Sequence, residues 1–212
     1  HPAKHLILHA YLGRGKTTAI KRLLNNYTSY LFLSSRQTFA TFVASEFDDS
    51  CCYLDCNVAE YNHPRFIISI ESLHKIKKKD YDIVCLDESE SLLAQFSSTT
   101  MQGNQLETWN ILSEIIKNAK KVVYADAFLT TRTIDVVRHF ANQTNDQITL
   151  IQNETSPVER KVKEIIPDVF CQTLLDKVKN NKKIYACYSS ANKLVKDVNR
   201  LKGAAMENEQ VE

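Results

Sequence analysis

Short runs of apolar, β-branched and aromatic residues recur along the chain, separated by stretches with helical spacing. The runs are HLIL at 5–8, YLFL at 30–33, FIISI at 66–70, DIVCL at 82–86, KVVYA at 121–125, ITLI at 148–151 and KIYAC at 183–187. Between them, amphipathic spacing predicts helices at 16–27, 36–46, 71–78, 88–96, 105–118, 131–141, 168–180 and 191–201. Near-continuous apolar strands alternating with helices predict an α/β fold with a mostly parallel sheet covered by helices. The polar stretch NETSPVERKVKEIIPD at 153–168, with Pro157 and Pro167, reads as a boundary. The expected organisation is a domain over 1–155, a linker and the start of a second domain over 156–202, and a disordered polar tail over 203–212. One strand–helix unit after the boundary cannot bury both faces of a new sheet, so either it docks on the first domain or the chain is a fragment of a longer protein, the favoured expectation.

Composition adds exclusions. No apolar run reaches the roughly 18 residues of a transmembrane helix, and the N-terminal apolar stretch is too short for a signal peptide. An intracellular protein with no membrane partner is therefore expected. Lys and Arg number 27 against 25 Asp and Glu, a net charge of +2. That balance argues against a protein that coats nucleic acid by charge alone, and leaves room for a local phosphate-binding face. Cys51, Cys52, Cys56, Cys85, Cys171 and Cys187 are unevenly spaced and read as reduced thiols. The first three, with His63, match no standard zinc spacing. Lys75, Lys77, Lys78 and Lys79 read as a solvated loop, and Trp109, at helical spacing with Leu106, Leu112 and Ile116, as core.

Glycine is scarce: the chain holds 4, where average usage of about 7% would give roughly 15. Two of them, Gly13 and Gly15, lie in AYLGRGKT at 10–17, a Walker A pattern between an apolar strand and a predicted helix. Backbone amides of this loop, including Arg14, would close around phosphates, and the helix would aim its positive end at them. Lys16 would reach the β- and γ-phosphates, the Thr17 hydroxyl would ligate Mg²⁺, and Thr18 adds a second hydroxyl. The cofactors expected are ATP and Mg²⁺. A second apolar strand ends in Asp87-Glu88, within DESE at 87–90. Asp87 would hold Mg²⁺, and Glu88 would orient and deprotonate an attacking water. Acids also start helices that follow strands, so a helix-capping role is the alternative. A third strand ends in Ala125-Asp126-Ala127, where Asp126 lies either beside the γ-phosphate or caps a helix. Tyr11, Tyr27, Tyr30, Phe39 and Phe42 fall near these elements and read mostly as core, with base stacking as the alternative.

The order AYLGRGKT, FLSSRQTFA, ISIESLHKI, YDIVCLDESE, VVYADA resembles the first RecA-like domain of a superfamily 2 helicase. Within that superfamily the sequence most resembles the herpesvirus origin-binding protein type, whose relatives occur in large DNA viruses. The resemblance covers roughly residues 4–200, with KIYACYSSANKL at 183–194 similar to motif IV, the opening of a second RecA-like domain. It implies an ATP-dependent DNA helicase motor that translocates on single-stranded DNA. Ser34, Ser35 and Arg36 (motif Ia), Ser72 (motif Ib) and Ser190 (motif IV) would touch the nucleic-acid backbone. Hydroxyls and an arginine at strand ends suit phosphate oxygens, although a helix N-cap with a solvated arginine is the other reading of Ser35-Arg36. The partners implied are single-stranded DNA, the second RecA-like domain and other replication proteins, in the nucleus or at a viral replication site.

The chain departs from the family pattern in places. DESE stands where DEAD or DEAH is commoner, and ADA replaces a Ser-Ala-Thr motif III and offers no hydroxyl. No upstream segment is there to read adenine, and no motif V or VI comes after. Weak hydrolysis and no unwinding are therefore expected of the chain alone. The alternatives are a thymidine-kinase-like nucleoside kinase, which also joins a glycine-rich loop to a strand ending in Asp-Glu, and a non-catalytic nucleotide-binding scaffold.

Overall fold

The computed structural model describes residues 2–47, 49–57, 61–153, 155, 167–180, 195, 196, 198 and 199. Contacts divide the chain into two units, His1–Pro157 and Val158–Glu212. The first holds seven strands: β1 (His5–Ala10), β2 (Tyr30–Ser34), β3 (Cys51–Cys52), β4 (Arg65–Ser69), β5 (Ile83–Asp87), β6 (Lys121–Asp126) and β7 (Ile148–Asn153). Its helices are α1 (Lys16–Leu24), α2 (Gln37–Glu46), α3 (Ser89–Ala94), α4 (Gln105–Asn118) and α5 (Thr131–Thr144). In the second unit, α6 spans Pro167–Lys179. The strand expected at 183–187, Ser190 and the tail at 203–212 lie outside the described residues.

The sheet order is β3-β4-β2-β5-β6-β1-β7, and every pairing is parallel. All positions of β2, β5 and β6 are buried, which explains their unbroken apolar character. The edge strand β7 is the exception, with Ile148, Leu150 and Ile151 exposed. From β1 the chain crosses towards the β3 edge, whereas from β5 and β6 it crosses towards β7. The direction of winding thus reverses around β1, β6 and β5, and such a reversal opens a crevice at the strands' carboxyl ends. By the right-handed crossover rule α1 and α2 cover one face and α4 and α5 the other. Trp109 stacks on Phe140 at 5.5 Å and meets Phe96 edge-on at 5.6 Å, which fastens α4 to α5.

Two expectations change. The stretch at 71–78 forms a 3₁₀ turn over Ile70–Lys75, not an α-helix. The short strand β3 is additional to the expected set. Of the lysine run, Lys78 pairs with Asp80 at 3.0 Å and Lys79 with Glu114, while Lys75 and Lys77 are exposed.

At the amino edge of the sheet, Asp82 gathers the loops that lead into β2, β5 and β6. It accepts from the Thr28 hydroxyl (2.8 Å) and the Ser29 amide (3.2 Å), and pairs with Lys120 (2.7 Å). Lys120 and these donors hold its carboxyl well below the usual carboxylate range. The resulting stabilisation is complete above the unfolded value of about 3.9 and is lost as pH falls below it. Asp82→Ala is therefore expected to lower the melting temperature at pH 7 and to flatten its decline between pH 4 and 2.5, measured by circular dichroism. Parallel acid profiles for the two proteins would contradict this role.

Candidate functional site

The loop after β1 is shaped by two left-handed glycines, Gly13 at φ 73° and Gly15 at φ 78°. A Cβ at either would meet no atom within 4 Å, so glycine is required by backbone conformation and not by crowding. The Arg14 amide closes the turn onto the Tyr11 carbonyl at 3.3 Å. Because Gly15 supplies no side-chain cap to α1, the first amides of that helix remain available and its positive end faces the loop. The Lys16 ammonium lies back on the strand end, donating to the carbonyls of Ala10 (2.5 Å) and Tyr11 (3.3 Å).

Asp87 ends β5 and is 2% exposed. Its carboxylate accepts from the Glu88 amide at 3.1 Å. Burial pushes the Asp87 carboxyl up to about 6; the Glu88 amide and Lys16 pull against that, while the Glu88 and Asp126 carboxylates add to it. A buried carboxylate with two acidic neighbours is a poor site for an isolated anion and a good one for a hard cation. With Thr17 lining the same cleft, the oxygen donors suit a hard cation such as Mg²⁺. Glu88 takes a left-handed conformation, φ 54°, at the start of α3. For a residue with a Cβ this costs about 1–2 kcal/mol and marks a position held by its surroundings.

These residues line one cleft of about 490 Å³. Gly13, Gly15, Lys16, Thr17 and Thr18 line it together with Asp87 and Glu88. Arg14 and Asp126 do not line it. The Asp126 carboxylate is buried and accepts the amides of Phe128 (2.8 Å) and Glu90 (2.8 Å). This ties the end of β6 to the start of α3.

Glu90, the fourth residue of DESE, makes contacts that its motif does not announce. Its carboxylate accepts from the Thr130 amide (2.8 Å), the Thr130 hydroxyl (2.6 Å) and the Thr133 amide (3.2 Å). Ser89 and Thr133 share a further hydroxyl contact at 3.1 Å. Although burial pushes the Glu90 carboxyl up, the Thr130 and Thr133 hydrogen bonds hold it below its ordinary value. Thr130 and Thr133, at the start of α5, thus bind this helix to Glu90 and Ser89.

A second cluster lies at the ends of β2 and β4, where Ser34 stands in register with Ser69. Ser34 is buried, and its hydroxyl donates to the Arg36 carbonyl (2.8 Å) and accepts the Arg36 amide (3.2 Å). Ser35 is also buried, and its carbonyl accepts the Gln95 side-chain amide. Arg36 is exposed, and Ser72 accepts from Ser69 at 3.2 Å. Ser34, Ser35, Arg36 and Ser72 therefore come together, with Arg36 as the outward group. Cys51, Cys52, Cys56 and Cys85 are free thiols, and no group of three or more metal-binding side chains occurs among the described residues.

The burial of Asp87 has a measurable cost. In Mg²⁺-free buffer at pH 8, Asp87→Asn is expected to raise stability by roughly 1–3 kcal/mol, several degrees in melting temperature. The advantage should shrink as pH falls through about 6, where the wild-type carboxyl takes up its proton. A pH-independent difference, or destabilisation at pH 8, would contradict the burial argument.

Among curated proteins, the chain is 35% identical over 155 residues to the replication origin-binding protein of Human herpesvirus 6B (strain Z29). That match covers 69% of this chain and 19% of the relative, so the chain spans about a fifth of that protein's length. Among solved structures, it matches a DEAD box protein from the hyperthermophile Methanococcus jannaschii with a TM-score of 0.55 at 14% identity, over 97% of this chain and 60% of that one. It also matches a DEAD-box helicase bound to single-stranded RNA and UDP-BeF, with a TM-score of 0.51 at 19% identity, over 85% of this chain and 44% of that one. These two likenesses establish the fold as that of RecA-like helicase domains. The profile of the family described as origin of replication binding protein matches residues 3–203, and the chain belongs to that family.

Proposed function

We propose that the chain is the ATP-binding motor domain of a viral origin-binding DNA helicase, hydrolysing ATP to move on single-stranded DNA. The observation that supports this most directly is the meeting of a left-handed glycine loop, Lys16 and the buried Asp87 in one cleft. Loop and α1 amides would take the phosphate oxygens, and Lys16 would leave the Ala10 and Tyr11 carbonyls for the β- and γ-phosphates. Thr17 and Asp87 would hold Mg²⁺, which when bound neutralises charge developing on the phosphates. Glu88, fixed in its left-handed conformation, would orient water in line with the γ-phosphate and accept its proton. Arg36 and Ser72 would meet the phosphates of single-stranded DNA, with Ser34 shaping their loop. Translocation would result from closure against a second RecA-like domain, whose motif IV would include Ser190.

A fold neighbour that binds single-stranded RNA and a nucleotide supports the reading by analogy. Family membership favours it over a nucleoside kinase. Such a motor would work where viral DNA is replicated inside the host cell, alongside other replication proteins. Among the described residues no helix is long and apolar enough to cross a membrane.

Lys16→Ala is expected to weaken Mg²⁺·ATP binding by about 10- to 150-fold, the 1.5–3 kcal/mol of a charge-assisted hydrogen bond. Single-stranded DNA should change ATP affinity by the same factor that ATP changes DNA affinity. Glu88→Gln should keep nucleotide binding and lower hydrolysis by about 10²–10⁴-fold. Calorimetric titration and phosphate release check these outcomes. Unchanged binding by Lys16→Ala, or no linkage to DNA, would contradict the reading.

A further inference from the structure

The cleft that holds the glycine loop has a second, largely aromatic part to its lining. This wall is built from Phe39, Phe42 and Phe47 on and after α2, with Lys21 of α1 and Glu46. The Phe39 and Phe42 rings lie 6.2 Å apart and 28° from parallel. Phe39 also touches the buried Phe32 of β2 at 6.3 Å, and this anchors the pair to the core. Phe42 remains 52% exposed, a large apolar face held open beside a polar loop. Leu12, in the loop itself, is 56% exposed on the same cleft.

Spacing along α1 relates the two ends of the cleft. From Lys16 to Lys21 the helix rises about 7.5 Å. A chain of α-phosphate and ribose covers such a gap between the β-phosphate and a base. The charged groups at the far end are directed at each other and at a ring: Lys21 pairs with Glu46 at 3.9 Å and sits 5.8 Å over Phe47. The wall thus offers a base the faces of its aromatic rings, with its two charged side chains turned toward each other.

We propose that Phe42, backed by Phe39, is the stacking platform for the base of a bound nucleoside triphosphate, and that the site discriminates little between bases. This rests on the nucleotide-binding reading given above. Stacking on a phenyl ring is tolerant of base identity, because every base presents a π-face.

The test is equilibrium titration of the whole 212-residue chain with the Mg²⁺ complexes of ATP, GTP, CTP, UTP and inorganic triphosphate. Wild type is compared with Phe42→Ala, Phe42→Trp and Lys16→Ala. The wild type should bind the four nucleotides within about tenfold of one another, purines ahead by virtue of larger stacking area. Phe42→Ala should weaken every nucleotide by about 5- to 150-fold and leave inorganic triphosphate unchanged. Phe42→Trp should restore nucleotide affinity. Since Phe42 is half exposed, melting temperatures should be nearly equal, so a lost fold would not mimic the result. If Lys16→Ala lowers affinity and Phe42→Ala does not, the platform is wrong and the nucleotide site stands. An equal loss for inorganic triphosphate, or strong selectivity for one base, also overturns the platform. If Lys16→Ala changes nothing, the nucleotide reading falls with it.

Discussion

Strands β2, β5 and β6 are buried at every position, so a carboxylate that must meet a ligand can stand only at a strand's end. Parallel pairing then brings those ends to a single edge. Asp87 stands in register with Ala125 of β6, and Leu8 of β1 with the same alanine. The loop after β1, the acids after β5 and the aspartate at the end of β6 thus become neighbours although about 110 residues separate the first from the last. The same pairing between β2 and β4 places Ser34 beside Ser69 and gathers the second polar cluster. Burial that would forbid charge inside the sheet also raises the proton affinity of Asp87 at its margin.

Left-handed backbone conformations concentrate at this edge. Gly13, Gly15 and Glu88 all take left-handed backbone conformations, and only Glu88 has a side chain to resist it. Helix α3, which begins at the next residue, holds Glu88 in place. It is tied to β6 through the Asp126–Glu90 amide contact and to α5 through the Glu90 carboxylate. At its far end α3 reaches Gln95, whose side-chain amide meets the Ser35 carbonyl. A six-residue helix therefore joins the acids of the glycine-loop cleft to the loop that bears Arg36. Short, buried, multiply bonded elements of this kind are suited to pass a displacement from one end to the other, because packed contacts repack in steps and do not stretch.

Much of this is legible in the sequence. Apolar runs locate six of the seven strands of the first unit, since buried parallel strands leave an unbroken signature. The remaining strand, Cys51–Cys52, is two residues long and too short to show a period. The stretch at 71–78 has helical spacing, but its six-residue 3₁₀ turn ends at Lys75, before an extended segment. That Gly13, Gly15, Lys16, Thr17, Thr18, Asp87 and Glu88 share one cleft is expected from the sequence, because a glycine loop and an acidic strand end both leave a local pattern. The partners of Glu90 are not, because Thr130 and Thr133 lie 40 and 43 residues away and nothing local marks them. Ser34 and Asp126 show the limit of motif reading: each sits where expected along the chain, yet its polar atoms are taken up by nearby backbone groups. Phe42 is visible in the sequence only as one aromatic among several; its exposure on the cleft depends on how α2 packs against β2, β3 and β4.

The most direct test of the account is a crystal structure of the chain with Mg²⁺ and a non-hydrolysable ATP analogue. The account predicts β- and γ-phosphates on the amides of Gly13 to Thr18, Lys16 moved from the Ala10 and Tyr11 carbonyls to those phosphates, and Mg²⁺ between Thr17 and Asp87. Phosphates bound elsewhere, or Lys16 still resting on the strand-end carbonyls with nucleotide present, would contradict it.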